Sequence, residues 1–149
     1  MPIQLVTGNL LDSNCDILIN TVNCVGVMGA GIAKQFKDRY PRMFKQYKLD
    51  CSNGRYKPST IIECNESNGK IIVNFATKDH WNNPSKLEWI SDGLDNLNKY
   101  LVGTTYSVAI PALGCNNGGL DWNVVRVLIY EKLSGLSNEI KLYTPVRIT

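Results

Sequence analysis

With 149 residues, of which 44% are hydrophobic and 19% charged, the chain has the size and composition of one ordinary globular domain, which excludes the disordered and fibrous classes. It has no apolar run long enough for a membrane helix and no basic-then-apolar leader at Met1, so a cytoplasmic protein with no membrane partner is expected. A net charge of +3 demands no nucleic-acid partner, and five cysteines without a C-x-x-C pair argue for reduced thiols and against a disulfide framework or a zinc site.

In chain order, strand-like runs fall at residues 3–7, 17–22, 60–64, 71–76, 107–111 and 140–144, several of them continuously apolar as in a sheet covered on both faces. The polar interval from Cys64 to Lys70, with Ser67-Asn68-Gly69, predicts a hairpin turn between the third and fourth runs. A helix begins at Gly31. Its loose apolar stripe (Ala33, Phe36, Tyr40, Phe44, Tyr47) is broken by Pro41, which ends or kinks the helix near Tyr40. Leu87, Ile90, Leu94, Leu97 and Leu101 alternate spacings of three and four, which puts them on one stripe of a second helix, and a third runs from Trp122 to about Leu133. No repeat or linker divides the chain, so residues 1–149 are read as a single domain. Strands alternating with helices predict a three-layer α/β/α sandwich around a mixed, mostly parallel sheet of about six strands.

In such a sheet ligands sit beyond the carboxyl ends of the strands. Two glycine-rich segments fall there. The first, in NTVNCVGVMGAGIAKQF, places Gly26, Gly29 and Gly31 between a strand and a helix; the second, in AIPALGCNNGGLDW, does the same with Gly114, Gly118 and Gly119. Glycines let backbone N–H groups converge, and a helix N-terminus adds partial positive charge, so each turn suits an anionic group. The first spacing, G-x-x-G-x-G, is neither the dinucleotide order nor a P-loop, and alone it is also the signature of a helix packed close on a sheet. Two such turns facing one crevice suit a diphosphate and the sugar beyond it.

Between residues 34 and 48, Lys34, Lys37, Arg39, Arg42, Lys45 and Lys48 stand against only Asp38. Such a cluster is usually a solvated helix face, and it is also compatible with nucleic acid nearby. Lys78 lies just past an apolar strand, where desolvation can lower an ammonium pKa and free the amine, although a lysine after a strand is more often plain surface. His80, the only histidine, lies two residues on and reads as surface or as a general acid. Asp121 reads as the cap of the Trp122 helix or as an acid-base partner. Trp81 reads as packing or as a stacking surface, and Cys115 lacks an evident base for nucleophilic work.

Five stretches together, TGNLL (7–11), DILINTVN (16–23), VGVMGAGIAKQFK (25–37), NFATKDHW (74–81) and IPALGCNNGGLDW (110–122), resemble a macrodomain, the ADP-ribose-binding fold. Within that family the chain is similar to the branch that holds the DarG-type DNA ADP-ribosyl glycohydrolases of bacteria and the terminal ADP-ribose glycohydrolase of vertebrates. The resemblance implies ADP-ribose or an ADP-ribosylated substrate as partner, with single-stranded DNA as a candidate acceptor, and a monomer needing neither metal nor cofactor. It puts Asn9 and Leu10 at adenine, Asn20 and Asn23 in the family's N-x-x-N with Asn23 beside the distal ribose, and Gly29, Ala30, Gly31 and Ile32 in the first diphosphate loop. Thr77 is included on the same footing. Leu113, Gly114, Cys115, Asn116, Asn117, Gly118 and Gly119 match the second loop. Lys78 matches the reactive lysine of this branch, able to attack C1″ of an opened ribose. The column that holds an aspartate in the vertebrate enzyme is Gly118 here, with the nearest carboxylate at Asp121. The implied activity is removal of mono-ADP-ribose from a DNA base; a non-cleaving ADP-ribose reader and an ADP-ribose-1″-phosphate phosphatase are the alternatives.

Overall fold

A computed structural model describes residues 3–145. Six strands form one sheet in the order β1-β6-β5-β2-β4-β3, where β1 is Ile3–Val6, β2 Ile17–Val22, β3 Ile61–Asn65, β4 Ile71–Ala76, β5 Val108–Ile110 and β6 Ile140–Tyr143. All pairs are parallel except β3 with β4. That hairpin closes as the sequence predicts, with Glu66 N–H donating to Lys70 O at 2.9 Å and the Asn68 side-chain oxygen accepting from Lys70 N at 3.0 Å.

The period of two in a strand divides each one between two cores. Ile17, Ile19, Val73 and Phe75 pack under α3 (Leu87–Leu101) and α4 (Trp122–Leu133), where Ile90, Leu94, Leu97, Val125, Ile129 and Leu133 are fully buried. Leu18, Val22, Ile72 and Ala76 face the other way, against Phe36 of α1 (Gly31–Arg39) and Met43 and Tyr47 of α2 (Pro41–Ser52). The three layers are thus those expected, and every residue of β4 is buried.

Pro41 separates α1 from α2 because a proline lacks the N–H that a helix interior needs but is well suited to a first turn; Tyr40 closes one helix and opens the next. The basic stretch spans both helices, and most of its charge is engaged locally. Lys34 pairs with Asp38 at 2.8 Å, Arg39 with Asp12 at 3.2 Å and the Leu11 carbonyl at 2.8 Å, Arg42 with the Asn65 carbonyl at 3.2 Å, and Lys37 lies over the Phe44 ring. No described helix is long and apolar enough to cross a membrane.

Candidate functional site

A crevice of about 1320 Å³ runs along the carboxyl edge of the sheet, where β1, β2, β4, β5 and β6 all end. Loop 1, residues 23–30, leads from β2 to α1. Its organiser is Asn23: the side-chain oxygen accepts from Val25 N at 3.0 Å, Val27 N at 3.4 Å and the Tyr47 hydroxyl at 2.7 Å, while the amide donates to Val27 O at 2.8 Å. Burial pushes the Tyr47 phenol far above its ordinary value, so it remains a protonated donor. Ala30 precedes α1 without a side-chain cap bond, and Gly31, Ile32 and Ala33, the first turn of the helix, line the crevice. At Gly31 the backbone takes φ +59°, a left-handed turn that glycine adopts without strain.

Loop 2, residues 111–121, leads from β5 to α4 and is held by close packing. A Cβ on Gly118 would lie 2.3 Å from the Gly114 carbonyl oxygen and 2.4 Å from Ser85 Oγ, so no side chain fits at that position. The Gly118 carbonyl accepts from Ser85 N at 2.9 Å, and the Gly114 carbonyl accepts from Leu120 N at 2.9 Å. The two loops meet across the crevice: an added Cβ on Gly31 would touch the Asn117 amide nitrogen at 3.3 Å.

Between them lies the segment joining β4 to α3, which carries Lys78. Loop 1 grips its start, where Cys24 N donates to the Asp79 carbonyl at 3.1 Å and Cys24 Sγ to the Lys78 carbonyl at 3.2 Å. Burial, then the neighbouring Cys51 and Asp79, push the Cys24 thiol up to about 12, which keeps it a donor. Loop 2 grips the end of the segment through Ser85. Lys78 Nζ donates to the Trp81 carbonyl at 3.2 Å, and partial burial lowers its pKa from 10.5. Of the described residues lining the crevice, Lys78 is the only cation, and none is Asp or Glu.

A family model described as Macro domain matches residues 19–129. The chain is a macrodomain. The DNA ADP-ribosyl glycohydrolase of Mycobacterium tuberculosis is 47% identical over 124 residues, a match that takes in 80% of this chain and 35% of that protein. The chain therefore spans about a third of the length of this curated relative. The solved macrodomain of Mycobacterium tuberculosis DarG superposes with a TM-score of 0.93 at 40% identity, covering 97% of this chain and 98% of that one. Thermosipho africanus DarTG in complex with ADP-ribose superposes with a TM-score of 0.90 at 28% identity, covering 99% of this chain and 43% of that one.

Among the residues singled out from sequence, the macrodomain crevice brings together Asn9, Leu10, Asn23, the run from Gly29 to Ile32, Thr77, Lys78 and the run from Gly114 to Gly119. Asn9 lies at the β1 end, where its oxygen caps a short 3-10 turn by accepting from Leu11 N at 3.1 Å and its amide donates to Gln35 at 3.2 Å. Asn23 borders the crevice, but all its described bonds turn inward to loop 1 and Tyr47.

Four expected residues do not line the crevice. Asn20 is fully buried, paired across β2 and β4 with Asn74 at 3.1 Å, because its position in the strand points it into the α1–α2 core. Leu113 is likewise buried, in the α3–α4 core. Asp121 accepts from Asn123 N at 2.8 Å and caps α4, the simpler of its two readings. His80 accepts from Asn82 N at 3.4 Å within its own turn. Burial, then Asp121, push the Cys115 thiol up to about 11, against any thiolate role at neutral pH.

Thr21, Gln35 and Tyr143 also line the crevice and were not expected. Tyr143 was reachable in principle, since β6 lies between β1 and β5 and its carboxyl end must open onto the same edge. The spacing around Thr21 and Gln35 carries no comparable signal.

Proposed function

We propose that this macrodomain is an ADP-ribosyl glycohydrolase that frees a DNA base of mono-ADP-ribose, with Lys78 as nucleophile. The observation that carries this reading is a single, partly desolvated amine in a crevice with two glycine-rich turns and, among the described residues lining it, no carboxylate. Similarity to proteins named DNA ADP-ribosyl glycohydrolase, and to a relative solved with ADP-ribose bound, supports the choice of substrate.

The turns hold the diphosphate through backbone N–H groups, so substrate charge is met by dipoles, and among the described residues lining the crevice the one cationic side chain is Lys78 itself. Desolvation favours the neutral amine, and the Trp81 carbonyl orients it by accepting one N–H. The amine attacks C1″ as the C1″–O4″ and C1″–base bonds break. Its two protons pass to O4″ and to the departing base, leaving an imine; water then hydrolyses the imine, releasing ADP-ribose and restoring the amine.

The test is release of ADP-ribose from an oligonucleotide carrying thymidine-linked ADP-ribose. Wild type should cleave it, Lys78→Ala should leave it intact, and cyanoborohydride should trap an adduct on Lys78. Turnover by Lys78→Ala equal to wild type would remove the lysine from the mechanism. Because the neutral amine reacts, the rate should rise with pH through the Lys78 pKa and then level off, and the lowered pKa places that plateau at a lower pH than the ordinary lysine value of 10.5 would. Two diphosphate turns would equally serve an ADP-ribose reader that cuts nothing; tight binding with every linkage intact would decide for that alternative.

A further inference from the structure

The sheet order makes the crevice long in one direction. Asn9, after β1, and Lys78, after β4, stand four strand spacings apart, about 19 Å at the ~4.8 Å separation of paired strands. A dinucleotide-sized ligand laid across the strand ends therefore has one terminus at each end, and whatever is bonded to C1″ is carried at the Lys78 end. Trp81, Asn82, Asn83 and Pro84 line that end.

Trp81 is 56% exposed, more than any other large hydrophobic side chain on the crevice wall. The turn that presents it is bonded throughout. The Asp79 carboxylate accepts from His80 N at 2.7 Å and from the Asn83 amide at 3.2 Å, and these two bonds hold its pKa below the usual carboxylate range. The His80 imidazole lies against the indole, with ring centres 5.4 Å apart and planes tilted by 35°. Lys78 Nζ is bonded to the Trp81 carbonyl. The indole is thus an exposed apolar plate, braced by His80, on the residue whose main-chain carbonyl holds the amine.

We propose that Trp81 is the platform of a nucleobase subsite, on which the acceptor base attached to C1″ stacks, with the Asn82 side chain at the base edge. The proposal rests on the glycohydrolase reading for the chemistry at C1″ and for a base as acceptor, and it goes further by naming the residues that would recognise that base. A serine or acidic side-chain acceptor has no ring to lay on an indole, whereas any base has a π-face. A base inside a duplex is already stacked on both sides, so the platform favours single-stranded DNA.

The test uses Lys78→Ala to keep linkages intact and measures affinity by calorimetry for free ADP-ribose, thymidine-linked ADP-ribose and an ADP-ribosylated serine peptide. Thymidine-linked ligand should bind at least tenfold tighter than the other two and quench tryptophan fluorescence. Adding Trp81→Ala should erase that preference while leaving free ADP-ribose affinity within twofold, and Trp81→Phe should restore most of it. Trp81→Ala keeps the main-chain carbonyl that holds Lys78, and an unchanged melting temperature would show that the turn survives. Equal loss of affinity for all three ligands, no preference for the base-linked form, or tightest binding of the peptide would each overturn the subsite. The two proposals fail separately: wild type that cleaves nothing sinks the glycohydrolase reading but leaves a Trp81-dependent base preference standing.

Discussion

The two glycine-rich loops do the same job by different means. Loop 1 is held by one side chain, Asn23, which bonds two backbone N–H groups, one carbonyl and the buried Tyr47 hydroxyl. Loop 2 is held by close packing around Gly118, which sits against a carbonyl and Ser85 with no room for a Cβ. A loop held by hydrogen bonds can weaken in steps, because each bond contributes separately, whereas a loop held by close packing fails on the first added atom.

The largest effect should therefore come from Gly118→Ala. Its Cβ would meet a backbone carbonyl, which cannot rotate away as a side chain can, so the cost should reach roughly 3 kcal/mol, the upper end of ordinary overpacking. Thermal melting should show the loss of stability and calorimetry the loss of ADP-ribose affinity. Adding Ser85→Ala removes only one of the two clashes and should recover little. Recovery to wild-type stability would mean that the hydroxyl was the obstacle and that the loop is less tightly packed than described.

Loop 1 should decline by degrees. Asn23→Ala removes the partner of two N–H groups and a carbonyl and one of the two Asn23 acceptors of the Tyr47 hydroxyl, which keeps the main-chain carbonyl at 2.9 Å, and should cost about 2–3 kcal/mol at the lower end of the roughly 0.5–1.5 kcal/mol that each net hydrogen bond contributes. Asn23→Asp keeps the acceptor but loses the donor to Val27 O, and Tyr47→Phe loses one donor to the Asn23 oxygen; each should cost about 1 kcal/mol by the same measure. Since burial keeps Tyr47 protonated in the fold while the unfolded chain ionises near 10, the ordinary tyrosine value, the Tyr47→Phe difference should be flat from neutral pH up to about 10 and shrink above it. Equal damage from all three substitutions would mean that loop 1 is also all-or-none, and the contrast with loop 2 would collapse.

What could be read in advance follows the same division. The strands, α3 and the break at Pro41 were legible because periodicity and proline chemistry act locally. Both glycine loops were placed by the carboxyl-end rule alone. The role of Gly118 was not legible, since a turn glycine and a glycine denied a side chain by Ser85, 33 positions away, look alike in sequence. The resemblance grouped Asn20 with Asn23, but three residues along, a strand side chain points to the opposite face, and Asn20 is spent on the buried pair with Asn74. His80, two residues from Lys78, was read as surface or as a general acid; β4 ends at Ala76, and the turn that follows has His80 bond within itself.

The smallest predicted effect lies where the loops touch. Gly31→Ala carries two costs that a double-mutant cycle separates: the left-handed φ of +59°, which strains any residue with a Cβ, and the 3.3 Å approach to the Asn117 amide. The first should amount to about 1 kcal/mol and persist whatever stands at 117. The second should vanish in Asn117→Ala, which by itself should change stability by less than about 0.5 kcal/mol, as exposed substitutions usually do. A coupling near zero by thermal melting would mean that the loops move independently, each holding its own phosphate. A measurable coupling that grows when ADP-ribose is added would mean that the ligand draws the two loops together, one held by bonds and the other by packing, into a single cradle.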